Sequence, residues 1–402
     1  MESRISGWEK VKISEISLNV YAGATPNTKV TKYWENGNIP WMSSGEINNE
    51  LIKFTNNFIT QSGFDNSSTK MIPINSVLIA LAGQGKTRGK VAINKIELCT
   101  NQSLAAIIPN QRVHYQYLYY HLQYNYTKLR EISSGDGGRG GLNLKLIKEY
   151  ELYLPPIKEQ HNIGDLLSTW DEAIKKCSEI KNQLNLFKKR VIQKYSIKRS
   201  CINEQSDYQN NWIIKSLNEI LIEEVEKSKI NNQYDILTST VDDIFLQSEY
   251  FNKQIASKDN KGYKILKKNR LVLSPQNAWM GNININLKYE IGIVSPSYKI
   301  YKIVGADHIF FSYFVKTDMF RQLLDSNSQT GASIVRKSLK IEELMSSKIE
   351  LPNLDRQKYL GSLFLEIDSI IYKYTKLIQY YETQKLGLMQ QLLTGKIRVN
   401  VN

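Results

Sequence analysis

Two stretches of the chain carry apolar residues at helical spacing over many turns. In the first, Ile163, Leu167, Trp170, Ile174, Cys177, Ile180, Leu184, Phe187 and Val191 recur at steps of three or four, averaging 3.5. That is the heptad period of a coiled-coil seam. Pro155 and Pro156 stand just ahead, and proline fits the first helical turn. Neither Pro nor Gly occurs between Asp165 and Cys201 to stop the helix. The second stretch lies 197 residues on: Leu360, Phe364, Ile367, Ile371, Tyr374, Leu377, Tyr381, Gln384 and Leu388, with Gln384 alone off the apolar pattern. Each predicts a helix of ~35–40 residues, roughly 50–60 Å long at ~1.5 Å per residue. Pairing the two seams antiparallel within the chain buries both and leaves one arm at each end. The other solutions are packing of each seam on its own arm or on another copy. Cys177 and Trp170, on the seam, read as buried hydrophobes.

The same offset of 197 relates much more than the seams. It lays LPPIKEQHNIGDLLSTWDEAI from Leu154 over LPNLDRQKYLGSLFLEIDSII from Leu351. Pro155 then meets Pro352, Gln160 meets Gln357, Gly164 meets Gly361 and Asp171 meets Asp368. Further out, Lys188 meets Lys385, Gln193 meets Gln390, Leu142 meets Leu339 and Arg139 meets Arg336. The halves also open alike, with GWEKVKISEI at Gly7 and NWIIKSLNEI at Asn211. The chain is therefore a duplication with diverged arms, and internal repeats take precedence in reading any fold. The expected organisation is an arm over 1–154, a long helix over 155–200, a second arm over 201–350 and a second long helix over 351–402.

Both arms show short β-rich runs between Gly, Asn and Pro punctuation. Arm one has Ser76–Leu81, Lys90–Ile93 and Ser103–Ile108, a helix-like stretch from Tyr115 to Ile132, then a glycine-rich loop, SSGDGGRGG, from Ser133. Arm two keeps that order with Arg270–Ser274, Ile291–Val294, a helix-like run from His308 to Leu324, then SQTGAS from Ser328. The expected fold class is α+β, two α/β domains separated by an antiparallel two-helix coiled coil.

Charge narrows the function. Lys and Arg number 53 against 39 Asp and Glu, a net +14 over 402 residues. Such an excess suits a polyanion; the alternative is AT-rich coding, which also yields Lys, Asn, Ile and Tyr. Three cysteines without a CxxC pair argue for a reducing compartment. With no signal-peptide core and no run of ~20 apolar residues, the expected location is cytoplasmic. The four histidines form no metal-ligand spacing. No GxSxG, no GxGxxG after a strand and no Asn/Asp-Pro-Pro-aromatic motif is present, so the chain is expected not to be an enzyme.

Candidate DNA contacts are the arginines of the small-residue loops, Arg139 and Arg336 with its neighbour Lys337, since a guanidinium on a flexible loop suits phosphate or guanine. The other reading is a solvated loop before a strand. Ala80–Thr87, ALAGQGKT, approaches a phosphate-binding loop, which must feed directly into a helix. The chain instead continues RGKVAI, so Lys86, Arg88 and Lys90 read as the basic rim of a hairpin. In arm two the comparable stretch is amide-rich, and Gln276 and Asn277 can pair with adenine edges. The residues expected to pack the coiled coil are Ile163, Leu167, Trp170, Ile174, Leu184, Leu360, Phe364, Ile367, Ile371 and Leu377.

Two variable arms, two similar long helices opened by LPPIKEQ and LPNLDRQ, and the tail Leu392–Arg398 (LLTGKIR) resemble the specificity (S) subunits of Type I restriction–modification systems. The second copy departs at Asn353 and at Asp355–Arg356. The resemblance implies that each arm is a target recognition domain reading half of a split site in double-stranded DNA. The helices would set the spacer between halves. Two methyltransferase (M) subunits would dock and flip the target adenine, and restriction (R) subunits would join for cleavage. It implies no cofactor in this chain, with S-adenosylmethionine, ATP and Mg in the partners. The rival readings are a stand-alone P-loop NTPase or nuclease-type enzyme, and a coiled-coil scaffold without DNA function. A nearer variant is the specificity partner of a fused restriction–methylation enzyme.

Overall fold

The computed structural model describes residues 7–48, 50–83, 86–133, 141–196, 212–251, 259–330 and 337–399. The fold is α+β, and the chain divides into two compact units. The first joins Met1–Cys177 to Leu377–Asn402, and the second is Ser178–Lys376. Each unit holds one mixed α/β arm and half of each long helix.

In the first unit the strands are β1 (Glu9–Lys12), β2 (Ser17–Ala22), β3 (Ile39–Met42), β4 (Leu51–Ile52), β5 (Asn57–Ile59), β6 (Val77–Ala80), β7 (Val91–Asn94), β8 (Cys99–Thr100), β9 (Leu104–Pro109) and β10 (Glu151–Leu154). Among them run helices α1 (Gln61–Asp65), α2 (Tyr115–Tyr124), α3 (Tyr126–Ile132) and α4 (Leu144–Glu149), before the long α5 (Ile157–Ser196). The helix-like stretch from Tyr115 is thus two helices, broken at Asn125. A five-stranded sheet of order β2-β9-β6-β7-β4 forms the arm's centre. Alternation decides its faces. Val77, Ile79, Ala105 and Ile107 join one core with α2, while Leu78, Ala80, Ala92 and Ala106 point into a second core. Apolar layers on both sides explain why these strands read as continuous hydrophobic runs.

The second unit repeats the plan. Its strands are β11 (Trp212–Ser216), β12 (Leu221–Glu223), β13 (Leu237–Ser239), β14 (Ile244–Leu246), β15 (Lys264–Lys267), β16 (Arg270–Leu273), β17 (Ile283–Ile285), β18 (Ile291–Val294), β19 (Lys299–Ile303), β20 (Ser328–Thr330), β21 (Lys337–Leu339) and β22 (Lys348–Pro352). Its helices are α6 (Leu217–Ile220), α7 (Gln247–Tyr250), α8 (His308–Phe314), α9 (Asp318–Ser326) and α10 (Ile341–Ser346), before the long α11 (Leu354–Leu392). The central sheet here has order β12-β19-β16-β17. In both units the strand that opens the arm pairs antiparallel with the strand that closes it. Glu9 lies opposite Leu154, and Trp212 lies opposite Pro352.

The long helices pair antiparallel inside each unit. In the first, Asp171 bonds Lys385 and the Trp170 ring meets Tyr381 edge-on at 5.5 Å. In the second, Lys188 bonds Asp368. Burial along the seams is uneven. Ile163, Leu167, Leu360, Phe364 and Ile367 are buried, while Trp170, Ile174, Leu184, Ile371 and Leu377 are half-buried. Ile180 and Phe187 are exposed. Two helices alone cover a seam from one side only. Full burial occurs where an arm adds a third layer, as Tyr117 and Leu118 do over Ile163, and Phe310 and Phe311 over Phe364.

Residues shared between the two copies are the ones that dock an arm onto its helix. Gln160 is buried, accepts from the His114 amide at 2.8 Å and donates to the Arg112 and Pro155 carbonyls. Gln357, also buried, accepts from the Asp307 amide at 2.9 Å and donates to the Pro352 carbonyl. One turn on, glycine is required by the close approach. A Cβ at Gly164 would lie 2.9 Å from Gln116 Cβ, and one at Gly361 would lie 3.0 Å from the Phe310 amide nitrogen. Two further turns on, Asp171 and Asp368 accept from the hydroxyls of Tyr120 and Tyr313, each at 2.6 Å, besides bonding their lysines. Stranding buried backbone groups costs about 1–3 kcal/mol. Gln160→Ala and Gln357→Ala should each lower stability by about that amount. Gln193→Ala, at an exposed position, should stay within roughly 0.5 kcal/mol. Denaturant unfolding of the full chain reads all three.

Candidate nucleic-acid interface

In arm one, β6 ends at Ala80 and the chain returns as β7, with Ile79 opposite Val91 and Val77 opposite Ile93. The Ala80 amide donates to the Lys90 carbonyl and the Gly89 amide to the Ala80 carbonyl, both at 2.9 Å. Residues 80–91 therefore close a hairpin, and a strand follows the turn. Among the described residues of this turn no helix follows β6 whose N-terminal amides could hold a phosphate. The turn needs Gly89, whose φ of +84° is left-handed.

Lys86 is exposed, and Arg88 and Lys90 are half-buried. Lys90 Nζ donates to Asn48 Oδ1 at 2.6 Å. The main chain of this turn is held from below by α3. The Tyr126 hydroxyl donates to the Lys86 carbonyl at 2.8 Å, and Arg130 Nη1 donates to the Arg88 carbonyl at 3.1 Å. Arg130 Nη1 also reaches the Tyr126 hydroxyl at 3.2 Å. Arg139 lies outside the described residues. The chain after its loop re-enters beside the hairpin, where the Leu142 amide donates to the Leu81 carbonyl at 3.1 Å.

Arm two repeats the construction. β16 and β17 form the hairpin, with Leu273 opposite Ile283. Its turn carries exposed Gln276 and half-buried Asn277. The Asn277 carbonyl accepts from the Met280 and Asn282 amides, closing the turn, and Gly281 ends it at φ +98°. Arg336 lies outside the described residues. Its neighbour Lys337 begins β21, bonds Asp325 and sits 5.1 Å from the centre of the Trp279 ring. Two residues later the Leu339 amide donates to the Pro275 carbonyl at 3.1 Å. Leu339 is the repeat partner of Leu142, so the chain after each small-residue loop is tied to the same corner of its hairpin. Lys86, Arg88 and Lys90 thus share one end of arm one, and Gln276, Asn277 and Lys337 share the matching end of arm two.

Sequence reasoning passed over the groups that hold these turns. Tyr126 and Arg130 are four apart on α3, a spacing that puts both on one helix face, yet nothing in the residues says which strand they meet. Lys316, between α8 and α9, donates to the Gly281 carbonyl at 3.2 Å and to the Val241 carbonyl at 2.7 Å. Asn282 and Asn284 are buried and bond the Ser239 and Thr240 carbonyls, so they serve the frame. Among the described residues no group of three His, Cys, Asp or Glu could hold a metal ion. No described helix is long and apolar enough to cross a membrane.

Comparison with known proteins finds similarity to one group of relatives. Residues 5–186 match the family described as the Type I restriction modification DNA specificity domain. Over 98% of its length the chain is 26% identical to the MjaIX specificity subunit of Methanocaldococcus jannaschii, covering 94% of that protein. A 163-residue stretch, 40% of each chain, is 28% identical to the EcoR124I/EcoR124II specificity subunit of Escherichia coli. In fold the chain is similar to the Type I restriction–modification S subunit from M. genitalium, with a TM-score of 0.58 at 14% identity, over 98% of this chain and 97% of that one.

The ammonium of Lys316 is the most perturbed of the basic groups in arm two. Burial pushes it down to about 8 from 10.5, against the opposing pull of Asp243 and Asp242. In the unfolded chain this lysine keeps its proton to higher pH. Between about 8 and 10.5 the unfolded state therefore holds more protons, and stability should rise with pH through that window. Lys316→Met should flatten that rise, measured as the change in unfolding free energy between pH 8 and pH 10.

Proposed function

We propose that this chain, a relative of the Type I restriction specificity subunits, reads a two-part site in double-stranded DNA with one half assigned to each arm. The observation that carries the reading is the doubled construction: each arm presents a hairpin turn bearing basic or amide side chains, tied at the same corner to the chain that follows a small-residue loop. Cations there neutralise phosphates and supply affinity, whereas a few amides and guanidinium groups choose the bases. The net charge of +14 favours the same substrate. Counterion release makes such binding weaken steeply with salt.

In this reading the chain performs no chemistry. It recruits two methyltransferase subunits, and restriction subunits join for cleavage, all in the cytoplasm. S-adenosylmethionine, ATP and Mg belong to those partners. The methyltransferase acts on an adenine turned out of the stack, because its N6 atom is not reachable inside the duplex. Against the stand-alone nucleotide-hydrolysing alternative stands the strand pairing of β6 with β7 on either side of this turn, where a phosphate-binding loop would feed a helix.

Mapping N6-methyladenine in host DNA by single-molecule sequencing tests the proposal. Deleting the gene should abolish one bipartite methylated motif. Replacing Lys86, Arg88 and Lys90 together by Ala should weaken or relax recognition of one half of that motif. Replacing Gln276 and Asn277 should affect the other half. A motif that survives the deletion would remove the function, and substitutions that leave both halves untouched would remove the residue assignment.

A further inference from the structure

In each arm a cation that projects from the helical layer is spent on the backbone of the hairpin turn. Arg130 in arm one donates to the Arg88 carbonyl, and its neighbour Tyr126 donates to the Lys86 carbonyl. The Arg130 guanidinium also lies 5.5 Å from the centre of the Tyr126 ring, so the two side chains brace each other. Gly89 sits against this brace, since a Cβ there would lie 3.4 Å from Arg130 Cγ and 3.6 Å from the Tyr126 carbonyl oxygen. In arm two Lys316 bridges the Gly281 carbonyl, at the end of the turn, to the Val241 carbonyl, in the turn between β13 and β14.

The two devices do the same work with different residues at different places. Arg130 is inside α3, whereas Lys316 precedes the Thr317 cap of α9. Duplication alone does not produce that; each arm has its own solution to one requirement. A hairpin turn has few main-chain bonds of its own across its tip, and its side chains inherit every backbone shift. Donors aimed at its carbonyls fix the backbone while leaving the side chains beyond it available.

We propose that Arg130 with Tyr126, and Lys316, are positioning residues for DNA reading: each holds the backbone of its arm's hairpin turn so that base discrimination in that half-site depends on a residue that touches no base. The inference rests on the proposed reading of these turns as DNA-facing. It separates two consequences of a substitution. Losing a positioning bond frees the turn to accept neighbouring bases, but phosphate contacts elsewhere keep the overall attraction to duplex DNA.

The test uses host strains carrying Tyr126→Phe, Arg130→Gln or Lys316→Met in the full chain, with Lys86→Ala and Gln276→Ala beside them. The readout is N6-methyladenine at cognate sites and at sites differing by one base in either half. Tyr126→Phe and Arg130→Gln should raise near-cognate methylation about tenfold in one half only, the size of one net hydrogen bond. Lys316→Met should do so in the other half only. A purely structural fault would lower methylation of all sites together, and that result, or unchanged discrimination in both halves, would overturn the inference. If Lys86→Ala and Gln276→Ala also leave both halves unchanged, the DNA-facing reading of the turns fails with it. If those two act and the positioning variants do not, the positioning role alone falls.

Discussion

The bond between a half-buried aspartate and a lysine from the other long helix is the interaction on which each unit depends. Lys385 has 9% of its side chain exposed and Asp171 20%. A lysine and an aspartate removed from water are stable only when paired and hydrogen-bonded. The pairing here is completed by a tyrosine from the arm: Tyr120 donates to Asp171, and Tyr313 donates to Asp368. One carboxylate therefore joins three elements at once, the two long helices and the helix that leads the arm's second layer. Burial, reinforced by the same carboxylate, pushes both phenols well above their ordinary range, so they remain donors at any physiological pH. The contact works as a three-way junction, and its repetition at an offset of 197 makes the two units alike in plan despite their divergent arms.

From that junction outward the structure is a sequence of handovers. Buried Gln160 and Gln357 lock the amide at the start of α2 and α8 to the long helices. Those helices lie on one face of a sheet whose other face has its own core, so the sheet is held on both sides. Its central hairpin then projects its turn beyond the strand ends, where Tyr126 and Arg130 of α3 brace it in arm one and Lys316, between α8 and α9, braces it in arm two. Rigid scaffolding thus ends in a small exposed turn, the arrangement expected where a loop must carry recognition while the framework stays constant.

Much of this was legible in the residues. The seam periodicity and the 197-residue repeat announced the two helices, and Gln160, Gly164, Asp171 and Lys188 stood out as repeat positions, though nothing in the residues said what they would touch. The strands around Val77, Val91 and Leu104 were visible as apolar runs, because both faces of that sheet are covered. What was not legible depends on long-range pairing. The seam pattern gives equal weight to Ile163 and Ile180, but only Ile163 meets an arm, so one is buried and the other exposed. Tyr126, Arg130 and Lys316 look like ordinary surface residues until the hairpin carbonyls are placed beside them. The split at Asn125 was also hidden, since a helix-like composition runs through it.

The carboxylate of Glu159 is fully enclosed, and Arg398 and Trp8 reach it from opposite extremes of the chain. The first unit is therefore discontinuous: its core includes Met389, Leu392 and Leu393, which are synthesised about two hundred residues after the arm they complete. Domains generally mature as units during translation. The second unit, built from one uninterrupted stretch, can finish while the first still lacks the guanidinium that neutralises Glu159. Closing the first unit therefore requires the last turns of the second long helix and the residues after it, whereas the second unit is complete in one uninterrupted stretch.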